Sequence, residues 1–314
     1  MEYQDSPFIR YLVPVVKESK LMSSRTNRKF FDAMWNNLNE VGLPCGGIEL
    51  TLKKEGFHLD QATVCLGKVD TQVAVAEHGF KKVKPEDEVW HSHSPGLFKK
   101  FVGLAIDRSK RAYTKEQVEG DINSLTYVSK KVKTQAIKFA NKVIENGHMV
   151  LCLGMPLYWN PFGNKIKVYC LPKTHKKGAV YYSDVVSFAK EMGCSENLEI
   201  LSDLYDLEDA QTRYISFDID NKGVKNKIGV EVCSKRYTDF CVSIVDWLKV
   251  KNFTNESHSI KSPNGFHHLK LTFSKGRITP KLYFSIGYER FKAQQPKVVN
   301  SNTGRPVNIS KSQN

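Results

Sequence analysis

The 314-residue sequence predicts an α/β protein of the α+β kind, in which antiparallel strands are joined by tight turns and flanked by helices. Three observations carry this reading. Six short segments alternate strictly between apolar and polar residues, turn residues separate them in pairs, and helical-period apolar stripes lie between the pairs.

In 47–53, Ile48, Leu50 and Leu52 oppose Glu49, Thr51 and Lys53. In 165–171, Ile166, Val168 and Cys170 oppose Lys165, Lys167 and Tyr169. In 214–219, Ile215, Phe217 and Ile219 oppose Tyr214, Ser216 and Asp218. In 225–232, Ile228, Val230 and Val232 oppose Lys225, Lys227, Gly229 and Glu231. In 268–273, Leu269, Leu271 and Phe273 oppose His268, Lys270 and Thr272. In 281–286, Leu282, Phe284 and Ile286 oppose Lys281, Tyr283 and Ser285. A period of two with one apolar face is the mark of half-buried strands. The turns are 160–164, which follows an apolar strand at 148–157, then 220–223 and 274–277.

Helical stripes fill the intervals. Residues 27–42 align Phe30, Phe31, Met34, Trp35 and Leu38; residues 115–146 read as one long helix or a helix pair carrying Val118, Ile122, Leu125, Val128 and Val132. Two further helices are expected at 181–193 and at 236–249, the latter with Phe240, Ile244, Val245 and Leu248. Strands joined by tight turns run antiparallel, which excludes a doubly wound parallel sheet. The helices need the apolar strand faces as partners, so the Lys/Tyr/Glu/His faces lie opposite. If the sheet closes to remove its edges, those faces line a polar lumen. An open sheet with one wet face accounts for the same alternation.

Composition narrows the function. With 40% hydrophobic and 25% charged residues the chain can build a core. No apolar run nears the roughly 18 residues that span a bilayer, and the N-terminal segment lacks a signal-peptide pattern. Seven cysteines with no C-x-x-C argue against a disulfide framework or zinc site, so a cytoplasmic protein with no membrane role is expected. The net charge of +14 demands an anionic partner: nucleic acid, a membrane surface or phosphate groups. The lysines do not form a tail-like block; many stand singly on polar strand faces.

Four segments sharpen this. "IKVYCLP" at 166–172 resembles the K-x-Y strand of aromatic prenyltransferases of the dimethylallyl-tryptophan-synthase type. "FDIDNKGVKNKIGVEV" at 217–232 is similar to that family's next hairpin, "TPKLYFSIGY" at 279–288 to its final K-x-Y strand, and "LPCGGIELTL" at 43–52 to its early glutamate strand. They occur in family order. The resemblance implies a closed antiparallel barrel with a polar lumen, built from repeated α-β-β-α units, called ABBA. It implies transfer of a dimethylallyl or geranyl group from its diphosphate to an indole, another aromatic acceptor or a peptide side chain, in secondary metabolism or peptide modification. Lys167, Lys225, Lys227 and Lys281 would bind the diphosphate, Tyr169 and Tyr283 would shield the allylic cation, and Glu49 would hold the acceptor N–H. Gly229 departs from the tyrosine the family commonly has there, Thr51 replaces a serine, and Lys68 is the nearest basic residue to the family's N-terminal arginine position.

No Asp-rich metal motif occurs, so the lysines are expected to neutralise the leaving group without a metal or other cofactor. His268, Lys270 and Trp159 are candidate acceptor or lumen contacts. The competing class is a basic nucleic-acid-binding protein that stacks bases on a Lys/Tyr sheet face. Metal sites at His91 and His93 or at His267 and His268 lack a third ligand nearby in sequence, and a two-histidine phosphodiesterase lacks its second motif. Residues 173–177 read as a solvated hairpin exit. We expect an N-terminal extension at 1–26, one barrel domain at 27–292 and a disordered tail at 293–314.

Overall fold

The structure, a computed structural model, describes residues 46–53, 56–66, 88–93, 103–107, 112–125, 128–156, 165–173, 180–207, 210–234, 237–253 and 268–286. The expected helix at 27–42, both termini, Trp159, His267, Lys68 and residues 174–177 lie outside them, as do the side chains of His91 and His93.

Ten strands are described: β1 Gly46–Lys53, β2 Gly56–Leu66, β3 Glu88–His93, β4 Gly103–Asp107, β5 Met149–Pro156, β6 Ile166–Leu171, β7 Ala210–Asp220, β8 Gly223–Ser234, β9 His268–Ser274 and β10 Arg277–Ile286. Every neighbouring pair is antiparallel, and pairing runs in sequence order until β10 meets β1, making a closed barrel. Five helices accompany them: α1 Lys115–Ser124, α2 Lys130–Glu145, α3 Tyr182–Glu191, α4 Leu201–Tyr205 and α5 Tyr237–Val250. From α1 onward the order is two helices, two strands, two helices, two strands, one helix, two strands.

Local chemistry sets these boundaries. The 115–146 region is a pair, because Ser129 caps a second helix by accepting from Val132 N–H at 3.4 Å. Thr114 and Gln117 form a reciprocal capping box at the start of α1. Lys275 and Gly276 take positive φ in the two-residue β9–β10 turn, which lets the twisted strands close on each other.

The apolar strand faces and helix stripes share one core. Phe217 on β7 meets Phe139 of α2 at 5.1 Å between ring centroids and Phe188 of α3 at 5.9 Å. Around them Val168, Ile215, Ile228, Val230, Leu269 and Leu271 are fully buried. The helices therefore cover the apolar faces of these strands and leave the alternate faces to the interior of the ring.

Five features were not expected from the sequence. Strands β2, β3 and β4 and the short helix α4 carry no clean period of either kind. β7 begins at Ala210 rather than 214, because a register shift between Thr212 and Tyr214 breaks the alternation there.

Candidate active site in the barrel lumen

Cross-strand register brings the polar faces together, since directly opposed residues hold their Cβ atoms about 5 Å apart. Gly154, Lys167 and Asp218 are successive partners across β5, β6 and β7. Tyr169, Ser216, Gly229 and Thr272 form the next row across β6 to β9. Tyr214, Glu231, Lys270, Lys281 and Thr51 follow across β7 to β1, and His268, Tyr283 and Glu49 complete the wall. Glu49, Thr51, Ser216, Asp218, Glu231, His268, Lys270 and Thr272 are all buried.

Burying so many charges is tolerable only if they are paired. Glu49 accepts from Lys281 Nζ at 2.5 Å and from the Tyr283 hydroxyl. Asp218 Oδ2 accepts from Lys165 at 2.8 Å and Lys227 at 3.0 Å. Glu231 takes Lys270 at 2.8 Å on one oxygen and His268 Nε2 at 3.3 Å on the other. Lys167 forms no ion pair with the described residues. Its ammonium lies 5.9 Å from the centre of the Tyr169 ring, and Lys270 lies 5.2 Å from the same ring. Tyr169 meets Tyr214 edge-on at 5.8 Å, and His268 stacks on Tyr283 at 4.2 Å.

These surroundings set the charge states. Burial pushes the Glu49 carboxyl up, but Lys281, Lys270 and Lys167 outweigh it and hold it below its ordinary value. Burial raises Asp218 and Glu231 as well; the lysines around Asp218, and Lys270 with His268 around Glu231, bring both well below the usual carboxylate range. Lys167 moves the other way. Burial and the neighbouring Lys270 lower it to about 7, with Asp218 and Glu49 only partly compensating. Burial and the nearby carboxylates hold Tyr169 and Tyr283 in the phenol form.

The space left between these groups is small, about 30 Å³, and is lined by Glu49, Lys167, Ser216, Asp218, Lys227, Gly229, Lys270, Thr272 and Lys281. That volume takes a water rather than a ligand. Among the described residues, lysine side chains occupy much of the space between these groups. Gly229 is part of this filling: a Cβ there would sit 2.6 Å from both Lys270 Cε and Ser216 Oγ. The glycine makes a berth for the lysine.

Most of the residues singled out from sequence share this site. Glu49, Lys167, Tyr169, Lys227, His268, Lys270, Lys281 and Tyr283 are within it or on its wall. Lys225 is not. Its side chain is 43% exposed and pairs with Asp220 at the β7–β8 turn. The reason is a register shift: Phe217 pairs with Ile228 but Ile219 with Val224, so the residues between on β8 bulge over Asp218 alone. Asp218 and Glu231 were visible on the polar faces, but alternation could not say that each would clamp two basic groups. A larger cleft of about 490 Å³ lies elsewhere, at Glu196, Asp203, Lys251 and Arg277, and contains none of the candidate residues. Among the described residues no group of three His, Cys, Asp or Glu side chains could hold a metal ion, and no helix is long and apolar enough to cross a membrane.

No family profile matches the sequence, and no curated protein does. Solved structures do match. The prenyltransferase PriB, in its ternary complex with L-tryptophan and dimethylallyl thiolodiphosphate, is similar over 88% of this chain and 94% of its own, with TM-score 0.54 and 11% identity. PriB with product diphosphate is similar over 87% and 93%, with TM-score 0.55 and 10% identity. At such identity the likeness speaks for the fold, and it covers nearly all of both chains. The resemblance carried by four short segments of sequence thus extends to the architecture: the chain has an α/β fold similar to that of the prenyltransferase PriB.

Proposed function

We propose that this protein transfers a prenyl group from an allylic diphosphate to an electron-rich aromatic or peptide acceptor, without a metal. The observation that supports this reading is the lumen itself: lysines, two shielded tyrosines and a buried, ionised glutamate converge inside a barrel of prenyltransferase type.

Each group has a task in that chemistry. As the allylic C–O bond breaks, its electron pair leaves with the diphosphate, and fixed cations stabilise the growing charge. On this reading Lys167, Lys227 and Lys281 supply them. The carbocation that remains needs a face that attracts cations and excludes water, which the rings of Tyr169 and Tyr283 offer at about 0.5–2 kcal/mol each. Glu49, kept ionised by its lysines, accepts the acceptor N–H and raises the nucleophilicity of its ring. New C–C or C–N bond formation followed by proton loss completes the transfer. PriB has been captured with tryptophan and with a dimethylallyl donor analogue, which makes an indole a natural first acceptor to try. The nucleic-acid reading fares less well, because the lysine and tyrosine face is turned into the ring rather than laid open as a platform for bases.

The test is incubation with dimethylallyl and geranyl diphosphates against tryptophan, other aromatics, and tryptophan- and tyrosine-containing peptides, with and without EDTA, read by mass spectrometry. Prenylated product at equal rate in EDTA is expected. Absence of product from every donor, together with no saturable binding of inorganic diphosphate, refutes the proposal.

A further inference from the structure

We infer that Lys165, and not Lys225, is the fourth lysine of the diphosphate cradle, held in place by Asp218 until the donor arrives. This rests on the prenyl-diphosphate reading of the lumen. Lys165 immediately precedes β6 and shares the face of Lys167 and Tyr169. Across the ladder, Asp218 of β7 lies directly opposite Lys167. One oxygen of its carboxylate, Oδ2, accepts from both Lys165 and Lys227, at 2.8 and 3.0 Å. Two ammonium groups therefore already converge on a single anionic oxygen at the wall of the cavity.

A phosphate oxygen offers the same charge and the same acceptor geometry as that carboxylate oxygen. The Asp218 side chain is only 3% exposed and does not move with the solvent, whereas Lys165 is 37% exposed and Lys227 35%. The lysines are thus the mobile partners. They can turn from the fixed carboxylate to an incoming diphosphate, already oriented and with little ordering left to do. Asp218 is a positioning residue on this view. Lys225 is bound elsewhere, 3.3 Å from Asp220 at the exposed turn, and the bulge over Asp218 keeps it there.

Titration calorimetry of inorganic diphosphate into the full chain tests this, comparing the wild type with Lys165→Gln, Lys225→Gln and Lys165→Arg at fixed ionic strength. Lys165→Gln is expected to weaken binding by about tenfold or more, the loss of one charge-assisted contact. Lys225→Gln should stay within about twofold, as an exposed pair at a turn does. Lys165→Arg, which keeps the charge, should restore affinity to near wild type. Thermal melts guard against a folding defect, which an exposed position should not cause. Wild-type protein that fails to bind diphosphate overturns the functional reading itself. Wild-type protein that binds, with Lys165→Gln unchanged or Lys225→Gln the weaker of the two, overturns the assignment of Lys165 alone.

Discussion

Binding of a diphosphate in the lumen should draw a proton onto Lys167. Burial and the adjacent Lys270 lower its ammonium from the ordinary 10.5 to about 7, and no described carboxylate pairs with it. At pH 8 the empty site then holds about 0.1 proton on this lysine, and at pH 6 about 0.9. A diphosphate beside it adds several negative charges, restores the charged form and completes the protonation. The uptake assigned to Lys167 is therefore about 0.9 proton per site at pH 8 and about 0.1 at pH 6. Calorimetry with dimethylallyl thiolodiphosphate in buffers of different ionisation enthalpy measures it. Subtracting the same titration of Lys167→Gln removes protons taken up or released by the ligand. Equal uptake by wild type and variant at pH 8, or a difference that does not shrink at pH 6, refutes the reasoning. The same depression has a consequence for the unliganded fold. A lysine lowered in the folded state contributes stability that is present above 10.5 and lost as pH falls toward about 7, so the empty protein should melt higher at pH 9 than at pH 7 on this account.

Other outcomes follow from the same geometry. If Glu49 serves the acceptor as proposed, Glu49→Gln should lower turnover by about a hundredfold or more while the affinity for inorganic diphosphate stays within about twofold; equal losses in both would contradict that role. Gly229→Ala drives a methyl group into Lys270 and Ser216 and should cost about 1–3 kcal/mol in urea unfolding. Adding Lys270→Ala should recover part of that loss, and strict additivity would argue against contact between the two. Asp218 and Glu231, both lowered by their lysines, contribute stability that is present above about 4.5 and lost as pH falls below it. Acid unfolding followed by circular dichroism should thus begin at higher pH in Lys270→Met than in wild type. Phe217→Ala, which empties the meeting point of α2, α3 and β7, should cost about 3–5 kcal/mol without moving any lumen residue.

The strands that were legible in the sequence are those with helices on one side and a lumen on the other, because that environment imposes a period of two. Strands β6 to β10 and β1 carry that period, and where their side chains are described the apolar set is buried, as at Leu50, Val168, Phe217, Val230, Leu271 and Leu282; β5 reads only as an apolar run. Strands β2 to β4 do not show the period in residues such as Gly56–Leu66, where polar and apolar positions do not alternate cleanly. Lys225 lies apart from the lumen lysines for a related reason. Its parity matches Lys227, but parity assumes an unbroken ladder, and the bulge over Asp218 breaks it.

The sequence by itself determined which side chains face inward on most strands, because the pleat ties facing to residue parity over a few residues. It also determined that the excess positive charge would be interleaved with tyrosines and carboxylates rather than gathered in a tail. Pairing was decided only by tertiary structure. Which lysine meets which carboxylate depends on register between strands far apart in the chain, as with Glu49 and Lys281, 232 positions apart. Closure of the ring, the berth of Lys270 over Gly229, and the isolation of Lys167 among paired neighbours are properties of that register, and no local period in the chain encodes them.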